Sequence, residues 1–326
     1  RAVIALIDTQ TEEIRALGGK RDAEDEEIKR GFNYATQLKR QPGSTAKPFM
    51  AYGPAIEHLK WPTNHIIRDE EIVLNGKVFR NWDNRFHGNV TMRTALQWSY
   101  NIPAIKTMQE VGPEKAKKFA ANLGIELENV YPAYAIGGFS EGVSPLELAG
   151  AYAAFGNHGV FHEPYAVTKV VYPDGEEKQF QSESVQAMSD YTAYMITDML
   201  KSVVTQGTGQ LANIPGLPLA GKTGTNQLPD HVSGSGAADA WFVGYTTLYS
   251  ASVWIGFDEV TQEHYLSSSD TRLARMIFRE IMSRVSEGKD TPDFEMPSSV
   301  VERNGELYVK GSQPSQPLFE QKEDLE

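Results

Sequence analysis

Residues 44 to 47, Ser-Thr-Ala-Lys, place a hydroxyl and an amine three positions apart where a helix is predicted to begin. Residues three apart lie on one helix face, so the Lys47 amine can reach the Ser44 oxygen. Serine is a weak nucleophile until a neighbouring base takes its proton. A lysine that is buried at the positive end of a helix shifts toward its neutral form, and the neutral amine can accept that proton. The pair therefore has the chemistry of an activated nucleophile.

The spacing S-x-x-K is a weak signal by itself. A chain of this length contains roughly one such match by chance, and a second copy, Ser286 to Lys289, lies at the end of the last predicted helix. We assign that copy no function. Pro48 fits only the first turn of a helix, which places Ser44 at or beside the N-cap. Taken alone, Ser44 is more simply explained as that cap.

Two further segments carry groups that suit the same chemistry. Ser99-Tyr100-Asn101 supplies a hydroxyl and a carboxamide, and Lys222-Thr223-Gly224-Thr225 lies on a strand-like run whose glycine permits close approach of a ligand backbone. Singly, each has an ordinary explanation: a helix cap for Ser99, a turn former for Asn101 and a solvated strand lysine for Lys222. The ordered set S-x-x-K, S-x-N and K-T-G is a strong joint signal.

The elements that must position these motifs follow from the hydrophobic pattern. Residues 2–8 and 13–18 are predicted to form a β-hairpin, and a long helical stretch is predicted from about Ser44 to His58. Three strand-like runs, PLAGKTGT, AWFVGYT and YSASVWIGF, precede a final helix, TRLARMIFREIMSRV. Strands at the start and near the end predict one sheet assembled from both ends of the chain, with the helical block between them forming a lobe.

Local signals fix several boundaries. Ser144, Pro145 and Glu147 have the spacing of an N-cap, a first helical position and a capping box. A hairpin is predicted to turn at residues 173–175, and Ser189 is predicted to cap the helix that follows it.

Three stretches are predicted to lie outside the core. The charge run at 20–30 is predicted as a solvated loop. The Gly- and Ser-rich insertion at 226–238 is predicted as a mobile loop at the rim of a cleft. From about residue 290 the chain is rich in Pro, Ser and Glu and lacks the apolar content of a core.

Composition excludes several functions. The chain has 326 residues, 40% of them hydrophobic and 23% charged, as expected for one large or two small globular domains. A net charge of -12 argues against binding to a nucleic-acid backbone. The absence of cysteine excludes disulfides, thiolate metal sites and a cysteine nucleophile, and it suits an oxidising compartment. No apolar run reaches the roughly 20 residues of a membrane span. The chain starts at Arg1 without methionine and runs directly into a predicted strand, so we expect a segment of a longer polypeptide.

Other candidate groups are weaker. His158 and His162 are four apart, but Gly159 and the β-prone residues after it make a shared helical metal face improbable, and no metal is predicted. Glu147 is already explained by its capping box. Glu141, in a glycine-flanked loop, is a poor candidate for a base that activates water.

With these motifs in order, the chain resembles the transpeptidase domain of class A, bifunctional penicillin-binding proteins. The segments FNYATQLKRQPGSTAKPF, GGFSEGVSPLELAGAYAAFGNHG and DAWFVGYT also look like that family, and the resemblance covers about residues 1–288. It implies an α/β fold of the penicillin-binding and β-lactamase-like type, with a five-stranded antiparallel sheet flanked by helices and an all-helical lobe. Residues 1–290 would form this domain, with the lobe at about 60–190, and 291–326 a poorly structured extension.

The resemblance implies a serine D,D-transpeptidase that cross-links peptidoglycan. Ser44 would attack the carbonyl of a stem peptide ending in D-Ala-D-Ala and form an acyl-enzyme, with Lys47 as proton acceptor. The backbone N–H groups of Ser44 and Thr225 would form an oxyanion hole. An amine of a neighbouring stem would then displace the enzyme.

The remaining motif residues receive supporting roles from the resemblance. Ser99 would relay a proton to the leaving amine with help from Lys222, whose charge also holds Lys47 neutral. Asn101 would hold the substrate amide and contact Lys47. The residues implied to bind substrate are Tyr100, Thr223, Gly224 and Thr225.

The resemblance also implies partners and a location. The partners are stem peptides and β-lactam antibiotics, with no cofactor and no nucleic acid. The parent chain would add a membrane anchor and a glycosyltransferase domain, and would work with cell-wall synthesis and division proteins outside the bacterial membrane. Two alternatives stay open: a penicilloyl-serine sensor, and a D,D-carboxypeptidase or β-lactamase. Tyr100 stands where β-lactamases commonly have aspartate, which points away from that branch.

Overall fold

The structure is a computed structural model that describes residues 1–19, 31–74 and 76–312. The charge run at 20–30 lies outside the described residues. Within the described ranges, no helix combines the length and the apolar content needed to cross a bilayer.

The described residues form eight α-helices and fifteen strands. The α-helices are α1 (Tyr34–Gln37), α2 (Gly53–Leu59), α3 (Met92–Gln97), α4 (Asn101–Val111), α5 (Pro113–Ala121), α6 (Pro145–Gly156), α7 (Asp190–Gln206) and α8 (Leu273–Ser286). The strands are β1 (Ala2–Asp8), β2 (Ile14–Gly18), β3 (Ile66–Asp69), β4 (Ile72–Leu74), β5 (Lys77–Phe79), β6 (Gly88–Thr91), β7 (Val160–His162), β8 (Lys169–Val171), β9 (Glu177–Gln179), β10 (Ser184–Gln186), β11 (Ala220–Gln227), β12 (Ala237–Tyr245), β13 (Tyr249–Gly256), β14 (Val300–Arg303) and β15 (Glu306–Val309).

A five-stranded antiparallel sheet in the order β11-β12-β13-β1-β2 forms the centre of the molecule. Strand β1 pairs with β13 in a register that sets Ala2 opposite Ile255. The sheet therefore joins the start of the chain to its last third, as the sequence predicts. Strand β11, which carries the K-T-G motif, lies at one edge.

Helices cover both faces of this sheet. In β1, Ala5 and Ile7 pack against α6, whereas Leu6 between them belongs to the cluster under α8. That cluster includes Phe242 and Phe278, whose ring centroids are 4.6 Å apart. Alternation of side chains between two covered faces explains why the central strands are apolar runs rather than half-polar ones.

The lobe is not all-helical, which corrects one part of the predicted fold. Residues 60–190 contain α3, α4 and α5, but also four two-stranded sheets, β3 with β6, β4 with β5, β7 with β10, and β8 with β9. Only the β8–β9 hairpin, turning at 173–175, is predicted from sequence. The other strands have three or four residues, too few for a visible alternation. Helix α6 packs on the central sheet rather than in the lobe.

The helical stretch predicted from Ser44 to His58 is present but changes geometry twice. A 3₁₀ turn (Gly43–Ala46) is followed by a π turn (Pro48–Tyr52) and then by α2. Lys47 joins the first two with φ -53° and ψ -41°, values that a residue before proline rarely adopts. Because Pro48 has no N–H to donate, the widened turn, closed by a bond from Gly53 N–H to Pro48 O, accommodates it.

Residues 287–312, which we name the C-terminal strap, correct the prediction of a poorly structured extension at 291–326 as far as residue 312; residues 313–326 lie outside the described residues. Strands β14 and β15 pair as a hairpin around Asn304 and Gly305, whose φ values are 54° and 79°. Asn-Gly between apolar runs is the sequence signal for this turn, but the composition of the tail led to the opposite prediction. The hairpin side chains that join the main core are Val300, Leu307 and Val309.

Candidate active site

The three motifs meet at Ser99. The Lys47 amine donates to Ser99 O at 2.6 Å, to Ser99 Oγ at 3.2 Å and to Asn101 Oδ1 at 2.8 Å. The Lys222 amine donates to the same Ser99 Oγ at 2.8 Å. Residues as far apart in the chain as Lys47 and Lys222 thus form one polar cluster, in which two amines share a hydroxyl.

Ser44 lies beside this cluster on the 3₁₀ turn. Residues i and i+3 line up in a 3₁₀ turn, and the Lys47 N–H bonds to Ser44 O. Ser44 is half-buried, whereas Lys47 is completely buried. Among the hydrogen bonds of the described residues, those from the Lys47 amine go to Ser99 and Asn101 rather than to Ser44 Oγ. Ser44 therefore keeps part of its surface exposed, and the buried Lys47 follows it by one turn.

Burial is the main influence on both amines, because an ammonium group loses its hydration there. It lowers the pKa of Lys222 to about 7. It also holds the pKa of Lys47 well below its ordinary value, and the charge of Lys222 lowers that pKa further. Both effects shift Lys47 toward its neutral form, which can accept a proton.

Ser99 is held by the end of α3. Its N–H bonds to Leu96 O at 3.1 Å, and the Tyr100 N–H bonds to Ala95 O at 2.9 Å, the pair of bonds that defines a Schellman motif. The φ value of Ser99 is 58°, in the left-handed region that glycine usually occupies and that costs other residues roughly 1–2 kcal/mol. The helix end thus sets the position of Ser99 Oγ between the two amines.

Glycine at position 224 serves protein packing, which differs from the predicted approach of a ligand backbone. A Cβ on Gly224 would lie 2.5 Å from Pro42 O and 2.9 Å from Thr45 Cγ2. A Cβ on Gly43 would lie 3.0 Å from the backbone nitrogen of Thr225. Two glycines therefore let strand β11 press against the turn that carries Ser44.

The two threonines of the K-T-G-T segment have surface that a ligand could contact. Thr225 is exposed and Thr223 is half-buried, with its Oγ1 3.0 Å from Thr208 Oγ1. Both lie on the strand next to the cluster, which is compatible with the predicted contact to a substrate carboxylate.

Asn81 is a site residue that the sequence analysis missed. It is buried, its Oδ1 accepts from the N–H groups of Asn101 and Ile102 at 2.8 and 3.2 Å, and its Nδ2 donates to Asp69 at 2.7 Å. Asn101 Nδ2 also donates to Arg80 O at 2.9 Å, which turns Asn101 Oδ1 toward Lys47. No motif or periodicity marks a contact between residues 20 apart.

Tyr100 packs in the lobe, and its predicted contact with substrate stays a prediction. Tyr100 is buried, and its ring stacks on that of His87 with centroids 4.0 Å apart. The stacking on His87 fixes the position of the ring.

The two glutamates considered as water-activating bases have structural roles. Glu147 completes the capping box with Ser144 and pairs with Lys39. Glu141 accepts from Glu128 N–H at 3.0 Å and from Tyr134 Oη at 2.9 Å. Burial acts to raise the pKa of Glu141, but these hydrogen bonds outweigh it and keep the pKa below its ordinary value. A carboxylate held as an anion by two donors is a weak base.

The described residues hold no group of three or more His, Asp or Glu side chains able to bind a metal ion. His158 lies in a turn at φ 53° and His162 in β7. The insertion at 226–238 is shorter than predicted, because β11 extends to Gln227 and β12 begins at Ala237. Its mobility stays a prediction.

The family model described as the penicillin binding protein transpeptidase domain matches residues 2–283. Penicillin-binding protein 1A/1B of Bacillus subtilis is 47% identical over 324 residues, which is 96% of this chain and 34% of that protein. Penicillin-binding protein 1A of Streptococcus pneumoniae is 37% identical over 313 residues, 91% of this chain and 43% of that protein. The chain thus spans well under half the length of these curated relatives.

Among solved structures, the penicillin-binding protein PonA1 from Mycobacterium tuberculosis has the same fold, with a TM-score of 0.80 at 24% identity over 97% of this chain and 85% of that one. PonA1 in complex with penicillin V gives a TM-score of 0.79, also at 24% identity, over 91% of this chain and 81% of that one.

Proposed function

The chain belongs to the penicillin-binding protein transpeptidase family, and on this premise we propose that it is a serine D,D-transpeptidase. Its substrates are peptidoglycan stem peptides ending in D-Ala-D-Ala, and its acyl-enzyme forms on Ser44. The observation that carries the proposal is the meeting of two buried amines, Lys47 and Lys222, on Ser99 beside a half-buried serine.

In the proposed acylation, Ser44 Oγ bonds to the carbonyl carbon of the penultimate D-Ala and passes its proton to neutral Lys47. The oxyanion is stabilised by the N–H groups of Ser44 and Thr225, since a donor aimed at charge that develops in the transition state lowers the barrier. The C–N bond then breaks, and Ser99, connected to both amines, delivers a proton to the departing D-Ala amine. The threonines of β11 bind its carboxylate.

In the second half of the reaction, an amine of another stem peptide attacks the ester carbon and Ser44 regains a proton. The acyl group is transferred with no net redox change and no cofactor. Glu141 and Glu147 are both engaged by other groups, which supports slow attack by water and therefore a transferase rather than a hydrolase. For the same reason a β-lactam, which acylates Ser44 without releasing a leaving group, would trap the enzyme. The described site offers no observation that favours a sensor.

We propose the wider setting from the relatives. The curated relatives are much longer than this chain, which supports a parent with a glycosyltransferase domain and a membrane anchor, acting outside the cell membrane with other cell-wall synthesis and division proteins.

Incubation with a labelled penicillin followed by mass spectrometry tests this function. We expect a stable adduct on Ser44 that is absent from Ser44→Ala. Lys47→Ala should also abolish labelling, because no other described amine lies one turn from the hydroxyl. A wild-type chain without an adduct would contradict the proposal, and rapid loss of the adduct would favour a hydrolase.

A further inference from the structure

The C-terminal strap connects the sheet to the lobe. It follows the last residue matched by the family model, residue 283, and it contacts the central sheet, helix α7 and the lobe. Before the hairpin, the strap first contacts the turn between β12 and β13 and the start of β13: Lys289 bonds to Tyr249, and Thr247 Oγ1 donates to Pro292 O at 2.9 Å. It then contacts α7: Asp293 pairs with Lys201 at 2.7 Å, and Ser299 Oγ donates to Asp190 at 2.6 Å.

The hairpin at the end of the strap docks against the base of the lobe. The backbone of Leu307 exchanges hydrogen bonds with Thr63: Leu307 N–H donates to Thr63 Oγ1 at 2.8 Å, and Thr63 N–H donates to Leu307 O at 3.0 Å. Tyr308 Oη accepts from Asn64 Nδ2 at 2.8 Å. Beside them, Glu306 accepts from Thr63 Oγ1 and pairs with Arg93 at 2.9 Å.

Arg93 links the hairpin to the helix that ends at Ser99. It lies in the first turn of α3, its side chain is 15% exposed, and it also pairs with Asp198 of α7 at 2.7 Å. Its backbone N–H donates to Thr63 O at 2.9 Å. Glu306 therefore contacts the start of α3, and six residues further along the chain stands Ser99.

A six-residue helix has little stability of its own, because nucleation is costly and few internal bonds repay it. Helix α3 depends on its neighbours for its position, and its last turn must hold Ser99 at φ 58°. An offset of about 1 Å at a reacting group can lower a rate by about a hundredfold. Contacts at the start of α3 are thus in a position to affect the hydroxyl at its end.

We propose that the β14–β15 hairpin holds α3 in place through the Glu306–Arg93 ion pair, and so keeps Ser99 Oγ within hydrogen-bonding reach of Lys47 and Lys222. Glu306 is a positioning residue, which touches no reacting atom. The consequence for acylation rests on the proposed function.

The test compares Glu306→Ala with Glu302→Ala, which removes the same charge from the exposed side of the same hairpin. Acylation by a fluorescent penicillin is followed at several concentrations, below the melting temperature of every variant. We expect Glu306→Ala to lower the maximum rate about tenfold with an unchanged half-saturating concentration. Glu306→Gln, which keeps an acceptor for Arg93, should recover most of the rate, and Glu302→Ala should match the wild type.

Hydrogen exchange of the backbone amides of residues 94–100 is the second measurement. These amides should exchange faster in Glu306→Ala but not in Glu302→Ala. Thr63→Val, which removes the hydroxyl that bonds to Glu306 and to the Leu307 N–H, should act in the same direction and replaces Glu306→Ala if that variant does not fold. Unchanged exchange, or an acylation rate equal to that of Glu302→Ala, would overturn the proposal. Exchange needs no activity, so it separates this inference from failure of the proposed function.

Discussion

Ser99 occupies a backbone conformation that glycine adopts at lower cost, although the proposed reaction needs its hydroxyl. Both Ser99→Ala and Ser99→Gly remove the group to which Lys47 and Lys222 donate. Only glycine also relieves the left-handed conformation at φ 58°. We therefore expect Ser99→Gly to be more stable than Ser99→Ala by about 1 kcal/mol in urea unfolding, while both lose acylation.

Ser283, inside helix α8, is the matched control for this comparison. There glycine should be less stable than alanine by about 1 kcal/mol, because the backbone is right-handed and glycine has more freedom to lose. Equal stabilities of the two Ser99 variants would show that position 99 carries no backbone strain.

The sequence predicts the candidate reactive residues of this site but not the residues that hold them in position. Ser44, Lys47, Ser99 and Lys222 belong to motifs, and burial of Lys47 is expected from its predicted chemistry, whereas the burial of Lys222 is not predicted. Asn81 belongs to no motif, because its contact with the start of α4 arises only when distant segments fold together. A motif shows residue types and their spacing, whereas the residues that hydrogen-bond to motif residues, such as Asn81, are set by tertiary packing.

Glu12, in the turn between β1 and β2, connects two elements through a buried carboxyl. It has no exposed surface, and its Oε1 accepts from the His162 N–H at 2.8 Å. Its Oε2 is buried and has no hydrogen-bond partner in the described structure. Burial raises the pKa of Glu12 from 4.5 to about 9, so the folded protein holds this group neutral.

This raised pKa predicts a dependence of stability on pH. The stabilising contribution is complete below the unfolded pKa near 4.5 and is lost as pH rises toward 9, because the unfolded chain releases the proton first. Glu12→Gln keeps an acceptor for His162 and cannot ionise. We expect its free energy of unfolding to exceed that of the wild type at pH 8, by roughly 2 kcal/mol, with the gain shrinking toward pH 4.5. Denaturant unfolding at both pH values measures this, and a gain independent of pH would contradict it.

Among the strands, length determines which ones can be predicted from the sequence. Strands β1, β12 and β13 have seven to nine residues and are predicted because their apolar runs are long. The short hairpins of the lobe carry no such pattern. The β14–β15 hairpin is the instructive miss, since its Asn-Gly turn is visible in the sequence but was outweighed by the polar composition around it.

The whole molecule is built so that the candidate site lies where its parts meet. The sheet contributes Lys222, the turn before α2 contributes Ser44 and Lys47, and the lobe contributes Ser99 and Asn101. The strap is a further connection between sheet and lobe, and it contacts both. This arrangement predicts that the strap stabilises the entire domain rather than its own end of the chain.

Truncation after Asp290 tests the contribution of the strap to the stability of the whole domain. The shortened chain loses the burial of Val300, Leu307 and Val309, and each such side chain contributes about 1.5–3 kcal/mol before the entropy of ordering the strap is subtracted. We expect a lower urea midpoint than in a chain ending at Ser312, measured by circular dichroism, with one cooperative transition in both chains. Equal midpoints would mean that the contacts of the strap contribute no net stability, and a separate early transition of the lobe would mean that the strap stabilises only one part of the domain.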